Sequence, residues 1–245
     1  MTGGTLSVSI IVPTLNEAPV IGDSLRRLRG DFVDCELVVV DGGSSDGTVD
    51  IAEAVARVVH SAPGRARQMN TGARVTSGDV LWFVHADTAI APQALPQLRA
   101  ALADPAVVGG GLSLRFDHRT RGLDFLARTS NGRARRLHQI FGDQAVFVRR
   151  PVFDQLGGFP PLMLMEDLEL SRRLHRTGPL VVLPATSTAS VRRFTEHGTW
   201  QMVLFMQYLK LLYFCGVSPD RLARRYQRGP FLPRPRHTCP EVRHA

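Results

Sequence analysis

Residues 78–87, Gly-Asp-Val-Leu-Trp-Phe-Val-His-Ala-Asp, carry an unbroken apolar run into an imidazole and a carboxylate two positions apart. Residues i and i+2 of an extended segment point the same way. His85 and Asp87 can therefore face one divalent cation. The alternative is a strand end followed by a turn, with Asp87 capping the helix near Pro92. A further acid, Asp41, stands at the end of the β-branched run Glu36–Val40. Glu166 and Asp167 open a helical segment, where acids complement the helix dipole. Arg65 and Arg67 sit at a loop-to-helix start, and guanidinium groups beside bare helix N–H groups suit a pyrophosphate. A solvated arginine pair is the alternative there.

These groups need elements to position them. Ser7–Val12 is apolar and β-branched and reads as a first strand. Helical spacing of Val20, Ile21, Ser24, Leu25 and Leu28 follows, closed by Gly30. Glu36–Val40 is a second strand. A turn-forming loop, Gly42–Thr48, leads to a helix from about Val49 to Ala56, with Asp46 as N-cap. Arg57–His60 is a short third strand. Residues 64–73 enter a helix, and the run ending at Val84 is a strand buried on both faces. Strand–helix alternation of this kind predicts a mostly parallel α/β sheet with right-handed crossovers, and ligands then bind outside the carboxyl ends of the strands. Helices are expected over Pro92–Ala103, Arg119–His138 and Met165–Arg176. Strands are expected over Val107–Phe116 and Phe141–Val148. No G-x-G-x-x-G fingerprint is present, which argues against a nicotinamide cofactor.

The length bounds the chain to one large domain or two small ones. Hydrophobic residues make up 44% and charged residues 21%, an ordinary globular balance. The net charge of +8 is almost all arginine, because Lys210 is the only lysine. That balance suits nucleic acid, anionic lipid or phosphorylated substrates without choosing among them. The three cysteines, Cys35, Cys215 and Cys239, are scattered and give no disulfide framework or zinc spacing. A reducing compartment is the simpler reading. The short polar start followed at once by a strand carries no signal-peptide pattern.

Taken together, Val12-Pro13-Thr14-Leu15-Asn16-Glu17, Asp41-Gly42-Gly43-Ser44-Ser45-Asp46-Gly47-Thr48, Gly64-Arg65 with Asn70 and Gly72, His85-Ala86-Asp87 and Glu166-Asp167 resemble the motifs of family 2 glycosyltransferases, in their order. The resemblance covers about residues 7–215. Gly64–Asn70, His85–Asp87, Phe141–Gln144 and Ser190–Phe194 point to the small bacterial branch that resembles the arsenosugar-synthesis enzymes. The resemblance implies a GT-A (Rossmann-like) fold with C-terminal helices, as one domain over residues 1–228; residues 229–245 are Pro- and Arg-rich without periodicity and are expected to form a disordered tail. It also implies a nucleotide-sugar donor, UDP-hexose by analogy, and transfer with inversion to an acceptor hydroxyl or carboxylate.

Carried over residue by residue, Pro13, Thr14, Glu17 and Asp41 would hold the nucleoside. Arg65, Asn70, Ala86, Arg192 and Arg193 would meet the rest of the nucleotide-sugar. Asp87 matches the last acid of the family's metal motif for Mg2+ or Mn2+. His85 replaces that motif's first acid, either tilting the site toward Mn2+ or hydrogen-bonding the ribose or phosphate. Asp167 matches the catalytic base, with its pKa raised by Glu166 next to it. Asp143, Gln144 and Glu166 would line the acceptor side, and His197 would add a metal or phosphate contact or remain a surface histidine.

Trp200–Val217 is the most apolar segment, at the low edge of a membrane span. Gln207 and Lys210, three apart, give it a polar side, and Arg221, Arg224, Arg225 and Arg228 follow. Two readings stand: a core helix beneath the acceptor site, or an interfacial anchor on an anionic leaflet through residues 200–228. The implied partners are the donor and a small-molecule or lipid acceptor, with no nucleic acid, in the cytoplasm or peripherally on the inner face of the membrane. The rival functions are a nucleotidyltransferase and a non-catalytic nucleotide-sugar binder. The first calls for a Gly-rich loop after the first strand, which Pro13–Glu17 is not.

Overall fold

The computed structural model describes residues 5–230 except 193 and 195–197. The described residues divide into two compact units, the first ending at Ser190 and the second beginning at Val191.

The first unit is built on an eight-stranded sheet. Its strands are β1 (Val8–Thr14), β2 (Glu36–Asp41), β3 (Arg57–His60), β4 (Val80–Phe83), β5 (Thr88–Ile90), β6 (Gly109–Phe116), β7 (Phe147–Arg149) and β8 (Leu180–Ala189). Their spatial order is β3-β2-β1-β4-β7-β6-β8-β5. The β3-β2-β1-β4 half is parallel throughout. Beyond it β7 runs antiparallel to both β4 and β6, while β6 and β8 are parallel.

Period-two alternation divides the central strands between two cores. Ile10, Val12, Trp82 and Val84 pack on one face with Ile21, Leu25 and Leu28 of α1 (Ala18–Asp31) and Leu98 of α4 (Ala94–Ala101). Ile11, Val38, Val40, Leu81 and Phe83 pack on the other. There they meet Met69 and Ala73 of α3 (Arg65–Val75), Phe153 of α6 (Arg150–Gln155), and Leu170 and Leu174 of α7 (Glu166–Thr177). The short α2 (Thr48–Glu53) follows the loop after β2, and α5 (Arg121–Leu137) packs along β6. All four residues of β4 are buried, as a strand covered on both faces requires.

Four expectations change. Asp87 does not cap a helix near Pro92, because β5 intervenes and α4 starts only at Ala94. Gly47, in a left-handed conformation, takes the N-cap position of α2 rather than Asp46, although the Asp46 carboxylate still accepts the Thr48 N–H at 3.1 Å. Phe141–Val148 is not one strand: Gly142–Gln144 forms a 3-10 turn and β7 begins at Phe147. The elements β5, α6 and β8 were not expected at all. The second unit contains α8 (Thr199–Phe214) and α9 (Pro219–Arg228). No helix among the described residues is long and apolar enough to cross a membrane.

Candidate functional site

The carboxyl ends of β1 and β2 lie side by side, with Thr14 paired to Asp41. The loop that follows folds around the Asp41 carboxylate. Its Oδ2 accepts N–H groups from Gly43 at 2.8 Å and Ser44 at 3.0 Å, and its Oδ1 accepts the Ser44 hydroxyl. Burial by itself would raise this acid; the Ser44 hydroxyl, the two amides and His60 outweigh it and hold the carboxyl below its usual range. Asn16, with φ of 55°, bridges to the same loop through Ser44 and Ser45, and the Glu17 N–H donates to Thr48 at 2.9 Å. Pro13 and Thr14 are buried, and the Thr14 hydroxyl oxygen is buried without a hydrogen-bond partner among the described residues.

Helix α3 ties this end of the sheet to α7. Gln68 is buried, and its Nε2 donates to the carbonyls of Thr14 at 2.7 Å and Val40 at 2.9 Å. Three residues earlier, almost one helical turn, the Arg65 Nε lies 2.9 Å from Glu166 Oε1. Glu166 is only 2% exposed, and its Oε2 is buried without a hydrogen-bond partner among the described residues. Burial pushes its pKa up, Arg65 offsets part of the rise, and Asp167 adds to it. Glu166 is the carboxyl of the pair that is taken out of water. Glu166 meets Arg65 instead of facing an acceptor cleft.

The strand end and α7 converge on Gly142. Trp82 Nε1 donates to the Ala145 carbonyl at 3.1 Å and Phe83 N to the Val146 carbonyl at 2.8 Å, which holds the 142–144 turn beside the end of β4. Asp167 Oδ2 accepts the Gly142 N–H at 2.7 Å, and Oδ1 accepts the Leu168 N–H at 2.7 Å. A Cβ on Gly142 would stand 2.7 Å from His85 Nε2 and 3.4 Å from Asp167 Oδ2. Glycine is needed here for space: the imidazole and the base candidate flank the one position where a side chain is missing. His85 and Asp87 are both half-buried.

A residue missed by sequence reasoning belongs to this cluster. The Arg133 guanidinium of α5 sits 3.9 Å over the Phe141 ring. Burial lowers its pKa, while Asp143 and Asp167 act to raise it. Nothing in the sequence separates Arg133 from its neighbours Arg135 and Arg136, which are exposed.

Other expected site residues lie differently. Gln144 is fully buried; its Nε2 donates to the Leu112 carbonyl at 3.2 Å, so it supports the turn and does not line a cleft. Asn70 spends both ends of its amide on the backbone of Phe159, at 2.8 and 2.9 Å, and so anchors a loop instead of a ligand. Gly158, with φ of 77°, leaves that amide its room. The Ala86 side chain is in the core, so any ligand contact there falls to its backbone. Asp143 is half-buried, and its carbonyl accepts the Ser187 hydroxyl at 2.7 Å. Arg192 is exposed in the second unit; Arg193 and His197 lie outside the described residues.

The family profile described as glycosyl transferase family 2 matches residues 9–157. The chain belongs to this family. The PGL/p-HBAD biosynthesis glycosyltransferase of Mycobacterium bovis is 42% identical over 94 residues, 34% of this chain and 36% of that protein. The chain thus matches little more than a third of that relative's length. The mannosyltransferase PcManGT from Pyrobaculum calidifontis, solved with GDP-Man and Mn2+, superimposes with a TM-score of 0.63 at 21% identity, over 91% of this chain and 68% of that one. Glucosyl-3-phosphoglycerate synthase from Mycobacterium tuberculosis, solved with Mn2+, UDP and glucosyl-3-phosphoglycerate, gives 0.62 at 22% identity, over 86% of this chain and 81% of that one. At such identities these structures speak for the fold, and that fold is GT-A.

Among the described residues no three His, Cys, Asp or Glu side chains gather to hold a metal. His85 and Asp87 offer one nitrogen and one carboxylate donor. Such a pair fits a hexacoordinate cation that takes its other ligands from a diphosphate and water.

Proposed function

We propose that the chain transfers a hexose from a nucleoside-diphosphate sugar, with UDP as the nucleotide, to an acceptor hydroxyl with inversion at the anomeric carbon. The observation that carries this reading is the meeting of Asp167, Gly142 and His85 at the carboxyl end of β4. Two N–H groups fix the Asp167 carboxylate, which keeps lone pairs for a further proton. In the reaction the acceptor oxygen forms a bond to the anomeric carbon as its proton passes to Asp167. The bond from that carbon to the diphosphate oxygen breaks, and the nucleoside diphosphate departs with the electron pair. A base opposite the leaving group makes this a single displacement with inversion. Thr14 and the loop around Asp41 receive the nucleoside, and the buried Thr14 hydroxyl is a ready partner for it. Arg65 stands at the head of α3, where the helix amides and the guanidinium both favour the diphosphate.

His85 and Asp87 would hold Mg2+ or Mn2+. When bound, the cation neutralises charge on the leaving diphosphate. The complexes of the two structural neighbours with Mn2+ and a nucleotide support that assignment.

The test is a panel of nucleotide-sugars, with and without Mn2+, read by thermal shift and by release of nucleoside diphosphate. A metal-dependent shift with a uridine donor is expected, since a ligand of the folded state raises its melting temperature. Asp167→Asn should keep that shift and lose turnover; a non-catalytic binder would show the shift and no turnover in either protein. Release of pyrophosphate instead of a nucleoside diphosphate would assign the chain to nucleotidyl transfer.

A further inference from the structure

Five exposed residues of α8 recur at strict 4-3-4-3 spacing: Trp200, Leu204, Gln207, Leu211 and Phe214. The four apolar members are each more than half exposed, from 57% for Trp200 and Phe214 to 68% for Leu204. The polar side expected from Gln207 and Lys210 is therefore not there. Gln207 lies inside the apolar stripe, and Lys210 is half-buried off it. At 1.5 Å per residue the stripe runs about 21 Å along the helix.

One step further around α8, Tyr208 and Leu212 line a groove of about 280 Å3 with Arg221, Arg224, Arg225 and Arg228 of α9. These positions are turned roughly 100° from Gln207 and Leu211. The two helices are held together by stacking of Phe205 on Tyr226, 6.5 Å between centroids, and by Arg225 over the Tyr208 ring at 5.4 Å. Between residues 199 and 228 the only acid is Asp220, against four arginines and Lys210.

We propose that this edge of the second unit docks on an anionic phospholipid bilayer. The stripe sinks into the interface with an aromatic residue at each end, and the flanking arginines meet headgroup phosphates. Two observations select this occupant. The stripe is apolar, and single-sign charge lies beside it, the pairing that interfacial helices use. A second copy of the chain would bring the same arginines against their own kind. Since no helix among the described residues is long and apolar enough to cross a membrane, the proposed contact is with the bilayer surface.

The experiment is co-sedimentation of the full chain with vesicles of phosphatidylcholine alone, or mixed with phosphatidylglycerol. It needs no donor and no turnover, so its result is independent of the assignment made above. Pelleting with the anionic vesicles is expected, weakening as salt is raised, with a blue shift of Trp200 emission; Trp82 is fully buried and does not change. Arg221→Glu with Arg224→Glu, and separately Leu204→Glu with Leu211→Glu, should each weaken partition roughly tenfold or more. All four side chains are exposed, so the melting temperature should stay put. Protein that remains in the supernatant with anionic vesicles overturns the proposal, as does equal binding to neutral ones. Light scattering that shows a dimer broken by the leucine pair, with pelleting unchanged, would make the stripe a contact between copies and overturn it too.

Discussion

The two sides of the site are built on opposite plans. On the β1–β2 side the polar groups, apart from the Thr14 hydroxyl, are taken up by one another. Asp41 holds the loop amides, Gln68 holds the Thr14 and Val40 carbonyls, and Asn16 holds Ser44 and Ser45. On the β4–α7 side charge is left buried and imperfectly matched. Glu166 carries an oxygen without a hydrogen bond among the described residues, and Arg133 is desolvated between an aromatic ring and two acids. The acids register the contrast: Asp41 is lowered and Glu166 is raised. A saturated network fixes a shape, whereas unmatched charge is a reserve that a substrate can use. Three of the four described non-glycine residues with positive φ, His138, Ala145 and Met165, flank the second side, and backbone strain concentrates at such sites.

If this contrast holds, changes on the α7 side should strike turnover and spare the fold. The largest effect is expected for Asp167→Asn, with kcat reduced by roughly 10²–10⁴-fold. Its melting temperature and donor-induced thermal shift should stay near those of the unmodified protein. A loss of donor binding of the same size would show that Asp167 belongs to the nucleotide side and erase the distinction.

Next in size is Gln68→Leu, on the saturated side. It removes the amide donor from two buried carbonyls, of which that of Thr14 keeps the Gly42 N–H at 2.9 Å, at a cost of about 1–3 kcal/mol. Denaturant unfolding should show the loss, and donor KM should rise more than kcat falls. An unchanged midpoint would mean that water replaces the amide and the network is looser than described.

The fold was largely legible because periodicity reports burial: β1, β2, β4 and the helices around them follow from it. The 142–144 turn was not, since its conformation is set by Asp167, twenty-five residues away, drawing in the Gly142 N–H. The site was legible as a set of residue types, but their division of labour was not. Asn70 and Gln144 have the chemistry of ligand contacts, and the fold turns both inward to satisfy its own backbone. Arginine misled in the same way. Arg149 and Arg150, part of the positive balance, serve as staples: Arg149 donates to the Leu102 and Val107 carbonyls ahead of β6, and Arg150 to the Ala73 and Gly78 carbonyls ahead of β4. Composition counts charges without saying which are already spent.

Smaller again is Asp41→Asn, and its sign depends on pH. The folded pKa of Asp41 lies below the unfolded value of about 3.9. Its ionised form therefore adds stability that is fully present above that unfolded value and lost as pH falls through the folded one. The gap between the two proteins, about 1–2 kcal/mol near neutrality, should close on acidification below about pH 4. Glu166 has the reverse sign: with its folded pKa raised, it costs stability as pH climbs from its unfolded value of about 4.3 through the folded one. Glu166→Gln should flatten that slope. Parallel slopes for Asp41→Asn and Glu166→Gln would break the contrast between the two sides.

The subtlest test is Gly142→Ala, which alters no charge and deletes no hydrogen bond. The added methyl meets the His85 ring at 2.6 Å and the Asp167 carboxylate at 3.4 Å, and only the ends of those side chains have to yield. The fold should lose less than about 1 kcal/mol, because moving a side-chain end is cheaper than moving backbone. The imidazole is still displaced from its place beside the base, and a shift of about 1 Å at a reacting centre can cost up to 100-fold. Because His85 is also a metal-ligand candidate, the variant separates two roles. A fall of about tenfold in kcat that extra Mn2+ restores places His85 on the cation. The same fall, indifferent to Mn2+, places it on the substrate. No fall at all would mean that the crowding around Gly142 has nothing to do with catalysis.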